Sequence, residues 1–179
     1  MKEPESVILI PVPDAEFAVR SLREQYDPVC LRGIPAHITV LYPFYAPHLI
    51  TPDMIHVLEE MFAAVEPFAF DLAFIRTFPN AVYLEPAPRE PFIRLTQAVY
   101  TAFPDRPPCS GKFPDVNPHL TIAQVGEDQD RAQIQAEIEE SVADLLPIHA
   151  QATKAVLSAQ DERGHWTVKK SMNFGRTAN

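Results

Sequence analysis

"GIPAHITVLYPF", residues 33–44, and "NPHLTIAQV", residues 117–125, share one shape. Each places a histidine and a threonine two apart in an otherwise apolar run that reads as the start of a strand. Side chains alternate across a strand, so His37 and Thr39 face one way while Ile38 and Val40 face the other. His119 and Thr121 stand opposite Leu120 and Ile122 in the same manner. A strand with one apolar and one polar face buries the first and needs water or a polar neighbour for the second. If the two strands face each other, their polar faces line a shared cleft.

The pattern extends outward from both motifs. "SVILIPV", residues 6–12, reads as a buried strand, and Asp14 as the cap of a helix reaching about Tyr26, with Phe17, Leu22 and Tyr26 inward. After the first motif, Thr51, Pro52 and Asp53 form a helix start. Ile55, Leu58, Phe62 and Val65 make that helix's buried stripe. Phe68, Phe70, Leu72 and Phe74 alternate as a strand that turns at "FPN" and returns as "AVYLEP". A helix over about 91–103 turns Phe92, Leu95, Val99 and Phe103 inward, and 104–118 is a long irregular loop. After the second motif comes an amphipathic helix with Ile134, Ile138, Val142 and Leu145 inward. A hairpin of "HAQATKAVLSAQ" and "HWTVKKSMNF", joined by "DERG", closes the chain. Strand with motif, helix, hairpin thus occurs over 37–86 and again over 119–174. The expected fold class is α+β: bilobal, two pseudo-symmetric lobes of antiparallel sheet plus helices around a central cleft.

Composition narrows the function. The chain has 179 residues, enough for a sizeable apolar interior, and 46% of them are hydrophobic. No run is long and apolar enough for a membrane span, and the opening residues read as a first strand rather than a signal peptide. Cys30 and Cys109 lack metal or redox spacing and read as unpaired thiols of a cytoplasmic protein. A net charge of −9 argues against coating a long nucleic acid, though not against gripping one phosphate.

Two imidazoles and two hydroxyls have a definite chemistry. One imidazole can accept a proton while the other donates one. The hydroxyls can bond the non-bridging oxygens of a phosphate between them. In-line substitution at phosphorus uses that layout: a base at the attacking oxygen, an acid at the departing one, donors in the middle. No further ligands with metal spacing join His37 and His119, so no metal site is expected. His48, His56, His149 and His165 read as surface or capping residues. Neither a glycine-rich phosphate loop nor a Gly-x-Ser-x-Gly elbow is present.

"HITV" at 37–40 and "HLTI" at 119–122, with "LYPF" after the first and "NPH" opening the second, resemble the hallmark of the 2H phosphoesterase superfamily, in particular its 2′-5′ RNA ligase-like branch. The order of elements matches over nearly the whole chain. The resemblance implies a single domain, 1–179, of two intertwined lobes. It implies metal-independent, cofactor-free phosphodiesterase chemistry on 2′,3′-cyclic phosphates or 2′-5′ linkages of nucleotides or RNA ends. His37 would protonate the leaving oxygen and His119 would activate water, the two exchanging roles in the reverse, ligating direction. Thr39 and Thr121 would hold the phosphate. The expected partner is a nucleotide or an RNA end, with the protein a monomer. Arg32 and Lys112 would add charge at the cleft mouth, or else be solvated. Tyr42, Phe44 and Tyr45 would offer a stacking face, and the 104–118 loop a lid. The other reading is a module that binds a nucleotide or terminal phosphate without turning it over.

Overall fold

Two four-stranded antiparallel sheets form the framework of this computed structural model, which describes residues 4–111 and 115–175. The elements run β1 Ser6–Pro11, α1 Glu16–Tyr26, α2 Pro28–Leu31, β2 His37–Leu41, α3 Pro52–Ala63, β3 Phe68–Phe78 and β4 Ala81–Ala87. Then follow α4 Glu90–Ala102, β5 Leu120–Gln124, α5 Arg131–Val142, β6 Ile148–Ala152, β7 Lys154–Gln160 and β8 Trp166–Asn173. The first sheet has the order β2-β1-β7-β8, the second β5-β4-β3-β6. The expected α+β, two-lobed class is what the chain adopts.

The lobes exchange their hairpins. β3 and β4, which follow the first motif, lie in the second sheet, where β5 pairs with β4. β7 and β8, which follow the second motif, lie in the first sheet beside β1 and β2. The last hairpin is also shorter than its sequence suggests. "HAQATKAVLSAQ" divides at Thr153 into β6, an edge of the second sheet, and β7, which crosses to the first. The reason lies in the burial: β6 alternates as a one-sided edge strand, whereas β7 is buried through its middle.

One apolar cluster runs beneath both sheets, joining Ile8, Ile10 and Ile38 to Leu72, Leu84, Leu120 and Ile122. Helices cover it as their sequences dictate. Thr51 caps α3, its Oγ1 accepting from the Met54 amide at 3.3 Å, and Leu58 and Phe62 are buried. Phe92, Leu95 and Val99 are buried along α4, and Phe103 is buried just past its end. Asp130 caps α5, accepting from the amides of Ala132 and Gln133.

Four expectations fail on geometry. Asp14 lies in a short 3-10 turn before α1 and accepts from the Gln151 amide instead of capping the helix. The face α1 buries is Ala18, Val19, Leu22 and Arg23, which leaves Phe17 73% exposed. Phe17 and Leu22 are five apart, and five steps of 100° set them about 140° from one another. Phe74 is 47% exposed because the register of β3 on β4 shifts between Leu72 and Phe74; Ala73 is the extra residue and inverts the alternation beyond it. Leu145 falls in a 3-10 turn past α5 and is 40% exposed.

Candidate active site

The two motif strands are the edges at which the sheets meet. Cα atoms of β2 and β5 approach within 8 Å of one another. A cleft of about 620 Å³ opens there, and His37, Thr39 and Thr121 are among its lining residues. His119 borders this region without lining the cleft itself, yet it lies near enough to His37 to depress that ring's proton affinity.

Both histidines are oriented by the same device. The Nδ1–H of His37 donates to the Pro35 carbonyl at 2.8 Å, and that of His119 to the Asn117 carbonyl at 2.7 Å. Each acceptor lies two residues back, supplied by the turn into the strand. A neutral imidazole that donates from Nδ1 keeps Nε2 as the nitrogen able to accept a proton. His119 is further held between the rings of Phe78 and Tyr83, with centroids 5.1 and 5.3 Å away. Tyr83 is fixed in turn: the Asn117 amide donates to its hydroxyl at 3.2 Å, and Arg89 donates to Asn117 Oδ1 at 2.8 Å.

Both rings favour the neutral form. Burial at the crowded floor of the junction pushes His37 down to about 4, with Arg23 and His119 adding to the fall and the Pro35 carbonyl opposing it. Burial also lowers His119, against the raising effect of its bond to the Asn117 carbonyl.

Strict alternation gives only part of the wall. In β2, Leu9 pairs with Thr39 and Ile8 with Leu41, so Val40 is an extra residue. In β5, Tyr83 pairs with Thr121 and Val82 with Ala123, so Ile122 is extra. The two bulges fall at the same motif position. Each buries two successive residues, Val40 with Leu41 and Ile122 with Ala123, and returns the next side chain to the cleft. Those side chains are Tyr42 and Gln124, and both line it. The first bulge is anchored from behind: buried Thr96 of α4 donates its hydroxyl to the Val40 carbonyl at 2.8 Å.

Beneath the cleft lies an ion pair unmarked by any motif. Arg23 and Asp27, 0% and 2% exposed, meet at 2.8 Å. Arg23 also donates to the Ile34 carbonyl at 3.3 Å, and Asp27 Oδ1 accepts from Gln124 Nε2 at 3.1 Å. The far end of the cleft is apolar in part. Val7, Ile34 and Trp166 belong to a small second cluster on this face of the first sheet. The motif face is therefore polar on β2 and β5 but not on β1.

The remaining candidates divide. Arg32 lines the cleft, whereas Lys112 lies outside the described residues, as does part of the 104–118 loop. Of the three aromatic candidates only Tyr42 lines the cleft, its hydroxyl donating to Glu5 at 2.5 Å. Phe44 is buried against Phe103, and Tyr45 lies under the Arg106 guanidinium. His48, His56, His149 and His165 are exposed, and His149 pairs with Asp71 at 2.7 Å. Cys30 is a free thiol, while the side chain of Cys109 lies outside the described residues. Among the described residues no three His, Cys, Asp or Glu side chains gather where they could hold a metal ion, and no helix is long and apolar enough to cross a membrane.

Residues 10–164 match the family model described as the 2′-5′ RNA ligase superfamily. No curated protein sequence matches the chain. Among solved structures, TT0787 of Thermus thermophilus is similar with a TM-score of 0.68 at 17% identity, covering 98% of this chain and 100% of that one. LigT of E. coli complexed with NADP+ has a TM-score of 0.60 at 16% identity, covering 98% and 99%. The same protein complexed with 3′-AMP has 0.57 at 17% identity, covering 96% and 99%.

Proposed function

Because this chain belongs to the 2′-5′ RNA ligase superfamily, we propose that its cleft is the active site of a metal-independent phosphodiesterase acting on 2′,3′-cyclic phosphates or 2′-5′ linkages of nucleotides or RNA ends. In this reading His119 takes a proton from water and His37 gives one to the departing sugar oxygen. Thr39 and Thr121 donate to the non-bridging oxygens. The chain works as one monomeric domain of intertwined lobes in the cytoplasm.

The observation that carries the reading is the paired tautomer. Two imidazoles at one sheet junction each commit Nδ1 to a backbone carbonyl and keep Nε2 for proton transfer. Two hydroxyl-bearing strands frame the same cleft. A structural histidine needs no such duplication. The low proton affinity of His37 suits a site that charges only when occupied. A phosphodiester anion beside the ring favours the imidazolium that an acid must be. The fold shared with a protein crystallised with 3′-AMP and NADP+ agrees with a nucleotide ligand. The cleft volume of about 620 Å³ suits a small molecule or one chain end.

The test is incubation with 2′,3′-cyclic nucleotides, 2′-5′ dinucleotides and cyclic-ended oligomers, followed by identification of the phosphate position that survives. Turnover to a single monoester is the expected result. Tight binding with no product from any of them would make the protein a binding module instead.

A further inference from the structure

The bulge in β5 gives the cleft a side chain that alternation hides. Without it, the residues facing the cleft after Thr121 would be Ala123 and then Val125. With Ile122 as the extra residue, Ala123 is buried and Gln124 lines the cleft. Gln124 therefore stands about one same-face repeat, roughly 7 Å, along the strand from Thr121, and its side chain is long enough to span much of that interval.

Its amide is already sorted into roles. The Asp27 carboxylate only accepts, so the group it meets at 3.1 Å is the Gln124 NH2. One N–H is thus committed, and the second N–H and the carbonyl oxygen remain. Asp27 cannot drift, because it is buried in its pair with Arg23 and also accepts from the Val29 amide at 3.2 Å. A long, flexible side chain is in this way held at its tip before any ligand arrives. The equivalent residue of the other motif, Tyr42, spends its O–H on Glu5. Of the two bulge-presented side chains, only Gln124 keeps a spare donor.

We infer that Gln124, clamped by Asp27 and Arg23, is a third phosphate-positioning residue of the cleft, donating its free N–H to one non-bridging oxygen of the bound phosphoryl group on the Thr121 side. This rests on the phosphodiester reading of the site. It adds to that reading an asymmetry: one non-bridging oxygen meets an amide as well as a hydroxyl, the other a hydroxyl alone.

The experiment compares Gln124→Leu with the unchanged protein on a 2′,3′-cyclic nucleotide and on its two phosphorothioate diastereomers. Gln124→Leu removes one of the hydrogen bonds that the buried Asp27 carboxylate accepts, so a modest fall in melting temperature is expected and is measured beside the kinetics, which are read well below it. The expected result is about a tenfold loss of kcat/KM on the oxygen substrate, the size of a hydrogen bond to a charged group. The penalty for sulfur at one non-bridging position should shrink by a similar factor, with the other diastereomer's penalty unchanged. A side chain that merely braces Asp27 would slow all three substrates in parallel, and that outcome overturns the inference. Should the protein turn over no cyclic phosphate, the catalytic reading falls by itself. The positioning claim is then decided by the Gln124 side-chain amide resonance on addition of a 3′-nucleotide, where a shift upholds it and no shift overturns it.

Discussion

Burial holds down the proton affinity of His37, and the imidazole of His119 adds a smaller fall of its own, although 81 residues lie between the two along the chain. The coupling exists because the edge strands of two different sheets abut. In a site of this kind one ring's charge depends on the other's, and both begin neutral.

Changing either ring should abolish proton transfer without unfolding the protein. His37→Ala and His119→Ala are each expected to lower kcat on a 2′,3′-cyclic nucleotide by about 10²–10⁴-fold. Circular dichroism should stay that of the unchanged protein. Retention of near-normal turnover by both variants would remove the catalytic pair.

The pH dependence follows from the direction of the shifts. kcat/KM reports the free protein, in which both histidines are held below their ordinary value, near 6.5. Its two limbs should therefore lie on the acid side of 6.5, while the bell for kcat moves upward because the bound anion favours imidazolium. Stability runs the same way as the free protein's titration. A histidine that is harder to protonate when folded makes the unfolded chain the better proton binder, so stability falls as pH drops from about 6.5 toward 4. Urea melts across that window measure the loss.

Thr96→Val keeps shape and removes the donor to the Val40 carbonyl. The carbonyl lies at the β2 bulge, behind the strand that carries His37 and Thr39. A buried acceptor left without its partner costs about 1–3 kcal/mol. Lower stability together with a reduced kcat is expected. A loss of stability with kinetics untouched would mean that the bulge does not position the motif.

Arg23→Leu strands the Asp27 carboxylate in the interior. Breaking one side of a buried pair costs about 3–5 kcal/mol, and removing both partners together recovers much of it. In Arg23→Leu the proton affinity of His37 should rise, since the guanidinium is one of the groups that lower it. Histidine titration by NMR reads that shift directly, provided the variant stays folded. The double variant Arg23→Leu, Asp27→Leu supplies the folded comparison.

Gly33→Ala tests the bridge between the first motif and the β8 strand. Gly33 has φ of 99°, and a Cβ there would meet the Trp166 carbonyl oxygen at 3.0 Å. About 1–2 kcal/mol of destabilisation is expected from the left-handed backbone and the crowding. The chain has one tryptophan, so its fluorescence isolates Trp166. Nucleotide binding should alter that emission too, because Trp166 lines the cleft.

Local pattern determined a good deal of this protein. Period-two alternation placed β2 and β5 and gave His37 with Thr39, and His119 with Thr121, a common face, since facing is settled within a strand. Period 3.6 placed α3, α4 and most of α5 for the same reason, with cap chemistry fixing the start of α3. Other features depended on pairings between distant segments, which no local pattern encodes. A bulge is an extra residue relative to a partner strand, so neither Phe74's exposure nor Gln124's place in the cleft could be read without knowing that partner. Likewise, no local pattern marks Arg23 of α1 and Asp27 just past its end as a buried pair, which they become where α1 packs against β5. The chain alone specified the reactive groups. Only the meeting of two sheet edges decided their proximity, their charge state and the residues that hold them.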